Sequence, residues 1–285
     1  MTGLVAVVGS ANLDIVLSVP RRPLAGETVL GTGYTETPGG KGANQAIAAA
    51  RVARCAMIGR VGSDPAGARL IDAVAGAGVD TDGLERGEQP TGRAIITLTP
   101  DGENSIVVLP LANSTMDELT AMAHLERRRP DVVLTQLEIR LAVVEAVARW
   151  SARAGARFLL NPSPAVPIPP ALVAAADPLI LNVGEAVALT GRDRVPPSTL
   201  ARLLADRARS VVVTAGADGA YVAQAGAVAH AEAVTVARAV DTTGAGDVFA
   251  GTVAGHLANG VSLVEASRRA NAEAARIVQL HRADR

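Results

Sequence analysis

The chain has 285 residues, a formal net charge of −1, 19% charged residues and 2% aromatic residues. That length suits a large α/β core, and the near-neutral charge with few aromatics argues against nucleic acid as a partner. No apolar run reaches the roughly 20 residues of a membrane span, no cationic-then-apolar leader opens the chain, and the one cysteine, Cys55, suits a reducing, cytoplasmic setting.

Residues 4–8 are an apolar run that ends at Gly9, the pattern of a buried strand. Asn12 and Asp14 follow at its C-terminal end, the end that faces the ligand crevice in open α/β sheets. An Asn at that point also simply turns a chain. Segments 14–19 and 28–35 are expected to form a hairpin-like flap, with Thr28, Thr32 and Tyr34 on one face.

Gly39-Gly40-Lys41-Gly42-Ala43-Asn44-Gln45 opens a helix that runs to about residue 53. It is not a Walker A loop, because no Ser or Thr follows Lys41 and the first glycine of that spacing is absent. Lys41 is the one lysine among 27 basic residues. In an arginine-rich chain this suggests a site too shaped for a guanidinium, although the two exchange at exposed positions. Near the helix start, Lys41 and Asn44 are placed to donate to hydroxyls of a small polar ligand.

A strand at 55–58 and a helix from Asp64-Pro65 to about 75 continue the alternation that builds a parallel sheet covered on both faces. Segments 91–99 and 104–109 read as a hairpin around Pro100-Asp101-Gly102-Glu103. With 14–35 it forms a separate small β layer. The alternation then resumes with strand 131–137, Glu138 at its end, helix 141–154 and strand 158–160. Glu138 also reads as an acid at a helix start. Asn161-Pro162-Ser163-Pro164 makes a crevice-side turn. Strand 178–181 closes on Asn182-Val183-Gly184-Glu185, and helix 200–208 leads to strand 211–214 and the Ala215-Gly216-Ala217-Asp218-Gly219 turn. Short strands extend to about 236, and helices at 246–257 and 263–280 finish the chain. No repeat or linker interrupts it, and the four histidines have no metal-ligand spacing.

The most informative stretch is Asp241-Thr242-Thr243-Gly244-Ala245-Gly246-Asp247, a glycine-rich turn feeding a helix. The first turn of a helix carries unpaired N–H groups and partial positive charge. Without side chains at Gly244 and Gly246, a phosphate has room to dock there. Asp247 sits where the anion would sit. That suits a base taking a proton from a hydroxyl that attacks the phosphate. A first-turn acid also stabilises the helix dipole by a few tenths of a kcal/mol, about the lower end of that effect.

Taken together, two motifs resemble the ribokinase and phosphofructokinase-B family of sugar kinases. Residues 39–46 resemble the family's N-terminal motif in its ribose-kinase form, and 241–247 match its C-terminal motif. Asn12-x-Asp14, Gln136-Leu137-Glu138, Asn161-Pro162, Asn182-x-x-Glu185 and Thr214-x-Gly216-x-x-Gly219 support the match from residue 4 to about 278. The resemblance implies one domain over 1–285, a three-layer α/β/α fold with a mostly parallel sheet, and a β lid from about 12–36 and 91–111 that often pairs across a homodimer. It implies transfer of the γ-phosphoryl group of ATP to O5 of ribose with Mg²⁺. Asp247 is then the base, with the N–H groups of Gly244, Ala245 and Gly246 as anion hole. Asn12, Asp14, Gly40, Lys41, Asn44 and Glu138 bind the sugar. Asn182, Thr214, Gly216, Gly219 and Asn271 line the nucleotide site, with Glu185 near Mg²⁺ and the phosphates.

Two features depart from the family. Asn271 stands where many relatives carry histidine. Relatives continue into a Gly- and Ser-containing loop that completes a monovalent-cation site, whereas this chain ends at Gln279-Leu280-His281-Arg282-Ala283-Asp284-Arg285. Asp241 and Thr243 supply part of such a site, and K⁺ is expected to raise kcat less than about threefold. A kinase for another small sugar or a nucleoside is the nearest alternative reading. A non-catalytic sugar- or nucleotide-binding protein is the other, and Asp247 argues against it because a binder needs no base.

Overall fold

The computed structural model describes residues 2–101 and 103–280. In chain order its elements are β1 (Leu4–Val8), β2 (Asn12–Ser18), β3 (Gly33–Gly39), α1 (Lys41–Ala50), β4 (Arg54–Gly62), α2 (Pro65–Gly76), β5 (Asp80–Gly87), β6 (Gly92–Leu98) and β7 (Asn104–Leu109). A 3-10 turn (Leu111–Thr115) leads to α3 (Glu118–Arg128), β8 (Val132–Thr135), α4 (Leu141–Ala154), β9 (Arg157–Leu160), α5 (Pro170–Ala175), β10 (Leu179–Asn182) and α6 (Val183–Thr190). The rest is α7 (Pro197–Ala205), β11 (Ser210–Thr214), β12 (Ala220–Gln224), β13 (Ala227–Ala231), α8 (Ala245–Ala258) and α9 (Leu263–Ile277).

The larger sheet has the order β13-β12-β11-β10-β9-β8-β1-β4-β5. It is parallel from β11 to β5, and β12 and β13 extend one edge in antiparallel fashion. Successive residues of a strand point to opposite faces, so β1 feeds two cores. Val5 and Val7 pack with residues of α1, α2, α8 and α9, among them Phe249 and Val253. Ala6 and Val8 pack with residues of α3 to α7, among them Val143, Trp150 and Leu200. The result is the three-layer α/β/α arrangement expected from the alternating apolar runs.

The second sheet has the order β3-β2-β6-β7 and forms the lid. Its composition corrects the hairpin expected from residues 14–19 and 28–35. β2 lies between β3 and β6 and runs parallel to β6. Its antiparallel partner is 33–39, not 28–35, so Thr28 and Thr32 lie outside any strand. Pro23, Gly26 and Gly31 break the earlier segment. Pro38 is tolerated because β3 is an edge strand, where a missing N–H has no ladder partner to lose. The tip of the expected 91–109 hairpin at Gly102 lies outside the described residues.

Several elements escaped the sequence reading. β5 (DTDGLERG) is an edge strand with few apolar positions. α5 and α6 are short, so neither displays a full apolar period. By contrast α2 starts as expected, with Asp64 accepting from the Gly67 N–H at 2.8 Å and Pro65 in the first turn.

One helix crossing positions the site. A Cβ on Gly251 of α8 would lie 2.2 Å from the backbone oxygen of Gln45 in α1, and one on Gly255 would lie 2.8 Å from Cβ of Val52. The two helices therefore meet at backbone distance, with alanines and glycines as the contact. Their N-terminal ends, each preceded by a glycine with positive φ (Gly40 at 91°, Gly244 at 79°), open onto the same edge of the large sheet.

Candidate active site

The C-terminal ends of the parallel strands supply the floor. β1 leads into Gly9-Ser10, β8 into Gln136 and Glu138, and β9 into Asn161, while β10 and β11 end on Asn182 and Thr214. This is the crevice edge of an open α/β sheet. A cavity of about 200 Å³ there is lined by Lys41, Asn161, Ser163, Asn182, Glu185, Thr214, Gly244, Gly246 and Asp247, with Ile180 and Leu181 beneath.

Asp247 lies in the first turn of α8 and is 7% exposed. Its Oδ2 accepts from Asn44 Nδ2 at 3.2 Å, and its Oδ1 from Gln45 Nε2 at 3.0 Å. The carboxylate plane is thus held by two amides from α1. Gly244 and Gly246 line the cavity beside it. The N–H of Ala245, the third expected anion-hole donor, donates to the Thr242 carbonyl at 3.2 Å within the turn. In the same turn Asp241 Oδ1 accepts from the Thr243 N–H at 2.8 Å. The segment 281–285, which bears on the expected cation site, lies outside the described residues.

The residues expected at the sugar adjoin this cavity across Lys41. Glu138 Oε2 accepts from Ser10 Oγ at 2.6 Å and from the Lys41 backbone N–H at 3.2 Å, so its charge sits on the start of α1. Gly40 is pressed on the β1–β2 link, where a Cβ would lie 2.7 Å from the Asn12 nitrogen. Asn12 and Asp14 stand on β2, both buried. Asn44 faces two ways, since its Nδ2 is on Asp247 and its side chain also lines a second groove beneath β3.

Of the residues expected at the nucleotide, Asn182 and Glu185 form a reciprocal capping box at α6. Asn182 Oδ1 accepts from the Glu185 N–H, and Glu185 Oε2 accepts from the Asn182 N–H, each at 2.9 Å. One carboxylate oxygen of Glu185 is therefore committed to the helix start while the side chain still lines the cavity. Thr214 also lines it, and Gly216 and Gly219 shape the turn that follows β11. Asn271 spends its amide nitrogen on the main chain, donating to the carbonyls of Ala231 (2.8 Å) and Glu232 (3.0 Å). It holds the segment leaving β13 against α9.

Two buried residues without a role in the sequence reading complete the site. Gln45, fully buried, accepts from Gln136 Nε2 at 2.6 Å and donates from its own Nε2 to both Asp247 and Asn161 Oδ1. Asn113, from the turn after β7, brackets Ala11 and Asn12. Gln45 sits inside the quoted motif, which is the signal that pointed to it. Asn113 carries no local signal.

The three-layer fold with its separate small β sheet matches what the paired motifs imply. The pfkB family carbohydrate kinase model matches residues 2–285. The ribokinase of Haemophilus influenzae is 36% identical over 282 residues, covering 96% of this chain and 92% of that protein. The ribokinase of Bacillus subtilis is 37% identical over 270 residues, covering 94% and 90%. The structure of Arabidopsis thaliana ribokinase complexed with ribose and ATP superposes with a TM-score of 0.91 at 33% identity, covering 98% of this chain and 94% of that one. With fold and sequence in agreement over nearly its whole length, the chain belongs to the pfkB family of carbohydrate kinases.

Proposed function

We infer that the protein transfers the γ-phosphoryl group of ATP to the 5-hydroxyl of D-ribose. The observation that carries this reading is the buried Asp247 carboxylate, oriented by two amides beside Gly244 and Gly246 on the wall of the crevice. The ribokinase relatives and the ribose- and ATP-bound neighbour support the choice of sugar. We read residues 1–285 as one catalytic unit with the lid included.

The geometry supports the following residue roles. Asp247 accepts the proton of the attacking hydroxyl. Gly244 and Gly246 leave the start of α8 open to the transferred phosphoryl group. Lys41, on the same cavity wall as Asp247 and Asn182, offers a compact positive charge to the phosphates. Asn12, Asp14, Asn44 and Glu138 offer donors and acceptors to sugar hydroxyls. Phosphoryl transfer needs such positioning and charge stabilisation more than covalent help from the protein.

Mg²⁺ enters with ATP. Among the described residues no group of three acidic, histidine or cysteine side chains is gathered to hold a metal. That suits an ion that keeps its waters and binds chiefly through phosphates, with Glu185 within the same cavity. Asp241 and Thr243 are the residues we assign to part of a monovalent-cation site beside the anion-hole turn.

A homodimer through the lid is the assembly we favour. All six residues of the edge strand β7 are exposed, with Ile106 and Val108 on one face and Val107 and Leu109 on the other. An unpaired apolar edge invites pairing with a second copy. A reducing cytoplasmic setting fits the free, buried Cys55, and among the described residues no helix is long and apolar enough to cross a membrane.

The test is a coupled assay of ADP release with D-ribose, other pentoses, hexoses and nucleosides. D-ribose is expected to give the highest kcat/KM and ribose 5-phosphate as product. A preference of tenfold or more for another acceptor overturns the choice of sugar, and no turnover with any acceptor overturns the kinase reading.

A further inference from the structure

We propose that Gln45 is a positioning residue for Asp247, holding the carboxylate in the orientation from which it accepts the proton of the sugar hydroxyl. The inference rests on the kinase reading of the preceding subsection.

The polarity of the Gln45 amide is dictated by its neighbours. An ionised carboxylate only accepts hydrogen bonds, so the group facing Asp247 Oδ1 at 3.0 Å is Nε2. The second Nε2 proton goes to Asn161 Oδ1, also at 3.0 Å. Oε1 is then left for Gln136 Nε2 at 2.6 Å. Asn161 is held in turn, since its Nδ2 donates to the Ile180 carbonyl at 2.9 Å and its backbone N–H to the Thr135 carbonyl at 2.9 Å. The chain Gln136–Gln45–Asp247 therefore runs from the end of β8 to the base, with Asn161 at the end of β9 bonded to the same Gln45 amide.

Gln45 is fully buried. Its path to the reaction passes through Asp247, unlike Asn44, which lies on the opposite oxygen. Its backbone is fixed as well, because Gly251 of α8 rests on the Gln45 carbonyl. One turn of α8 separates that contact from Asp247. The helix that carries the base and the residue that aims it are thus registered twice, by backbone contact and by side-chain hydrogen bond. A misplacement of about 1 Å in such a pair costs on the order of a hundredfold in rate.

A plain structural role for Gln45 predicts something different from a positioning role, and a double-mutant cycle separates them. Gln45→Met keeps the length and removes the amide. In the wild-type background it is expected to lower kcat at least about tenfold while KM for ribose and for ATP stays within about threefold. In the Asp247→Asn background the same change is expected to cost less than about threefold, because there is no base left to aim. An equal loss in both backgrounds, or an unchanged kcat, overturns the proposal.

Should Gln45→Met fail to fold, the intact protein decides. The side-chain amide protons of Gln45, selectively labelled and followed by NMR, are expected to exchange with solvent at least tenfold more slowly than those of the exposed Gln224, and to lose that protection in Asp247→Ala. Exchange as fast as in Gln224 overturns the proposal whatever the acceptor. If ribose is not the acceptor, the substrate panel reveals that separately and the cycle is read with the sugar that is turned over.

Discussion

Asn113 Nδ2 donates to Asn12 Oδ1 at 2.7 Å, which commits the Asn12 amide oxygen and so sets the direction of its NH₂ group. Asn113 is itself locked, since its Oδ1 accepts from the Ala11 N–H at 2.9 Å. There is no space to spare around the pair. A Cβ on Gly92 would lie 2.2 Å from Asn12 Oδ1 and 2.3 Å from Asn113 Nδ2.

Asn113→Asp replaces that donor by an acceptor, so the Asn12 amide turns over and shows its oxygen to the sugar. KM for ribose is expected to rise about tenfold or more, the equivalent of about 1.4 kcal/mol, with KM for ATP unchanged. Steady-state kinetics with each substrate varied in turn checks this, and equal rises in both KM values would contradict it.

Asp247→Asn should bind ribose and ATP as the wild type does while kcat falls by about 10²–10⁴, the usual worth of a positioned base. Calorimetry gives the binding and single-turnover assay the rate. Retention of more than a tenth of wild-type kcat would remove Asp247 from its role.

Lys41→Arg probes the one lysine. Motif position alone puts Lys41 at the sugar, but its side chain shares the cavity with Asn182, Glu185 and Thr214. The expectation is therefore that KM for ATP rises along with that for ribose, because a forked guanidinium does not substitute for a compact ammonium there. A rise confined to ribose would return Lys41 to the sugar end alone.

Gly251→Val forces α8 away from α1. The obstructing atom is the Gln45 backbone oxygen, 2.2 Å from the new Cβ, so no side chain can move aside. Overpacking of this kind costs about 1–3 kcal/mol, read as a lowered denaturation midpoint, and kcat should fall with it. An unchanged midpoint would show that the crossing is soft.

Cys55 supplies a pH dependence. Burial chiefly, with the Asp80 charge behind it, pushes its thiol from 9.0 up to about 12. The folded state thus keeps a proton that the unfolded chain releases above pH 9. The contribution is present in full below that pH and is lost as pH rises towards 12, with a slope of up to about 1.4 kcal/mol per unit. The unfolding free energy of the wild type, minus that of Cys55→Ala, should fall between pH 9 and 11, and native Cys55 should resist thiol reagents. A flat difference would show the thiol is not held protonated.

Much of the fold was legible because its major elements carry strong periodic signals. β1 is a pure apolar run, α4 begins and ends where expected, and α8 follows its glycine turn. β5 was invisible because an edge strand needs few apolar residues, and β3 because Pro38 and its late start hid it. The site divides along another line. Asp247, Gly244, Lys41 and Glu138 stand in motifs. The relations that orient them join residues far apart in the chain, 202 positions for Gln45 and Asp247 and 101 for Asn113 and Asn12. No local pattern encodes a pairing of that range.

β2 starts at the crevice and continues as an inner strand of the lid, paired with β3 on one side and β6 on the other. Asn12 and Asp14 therefore ride on the lid, while Glu138, Asn44 and Asp247 ride on the main body. On the roles proposed above, an acceptor held by both sets is a splint across the seam between them, so its binding should resist movement of the smaller sheet against the larger one.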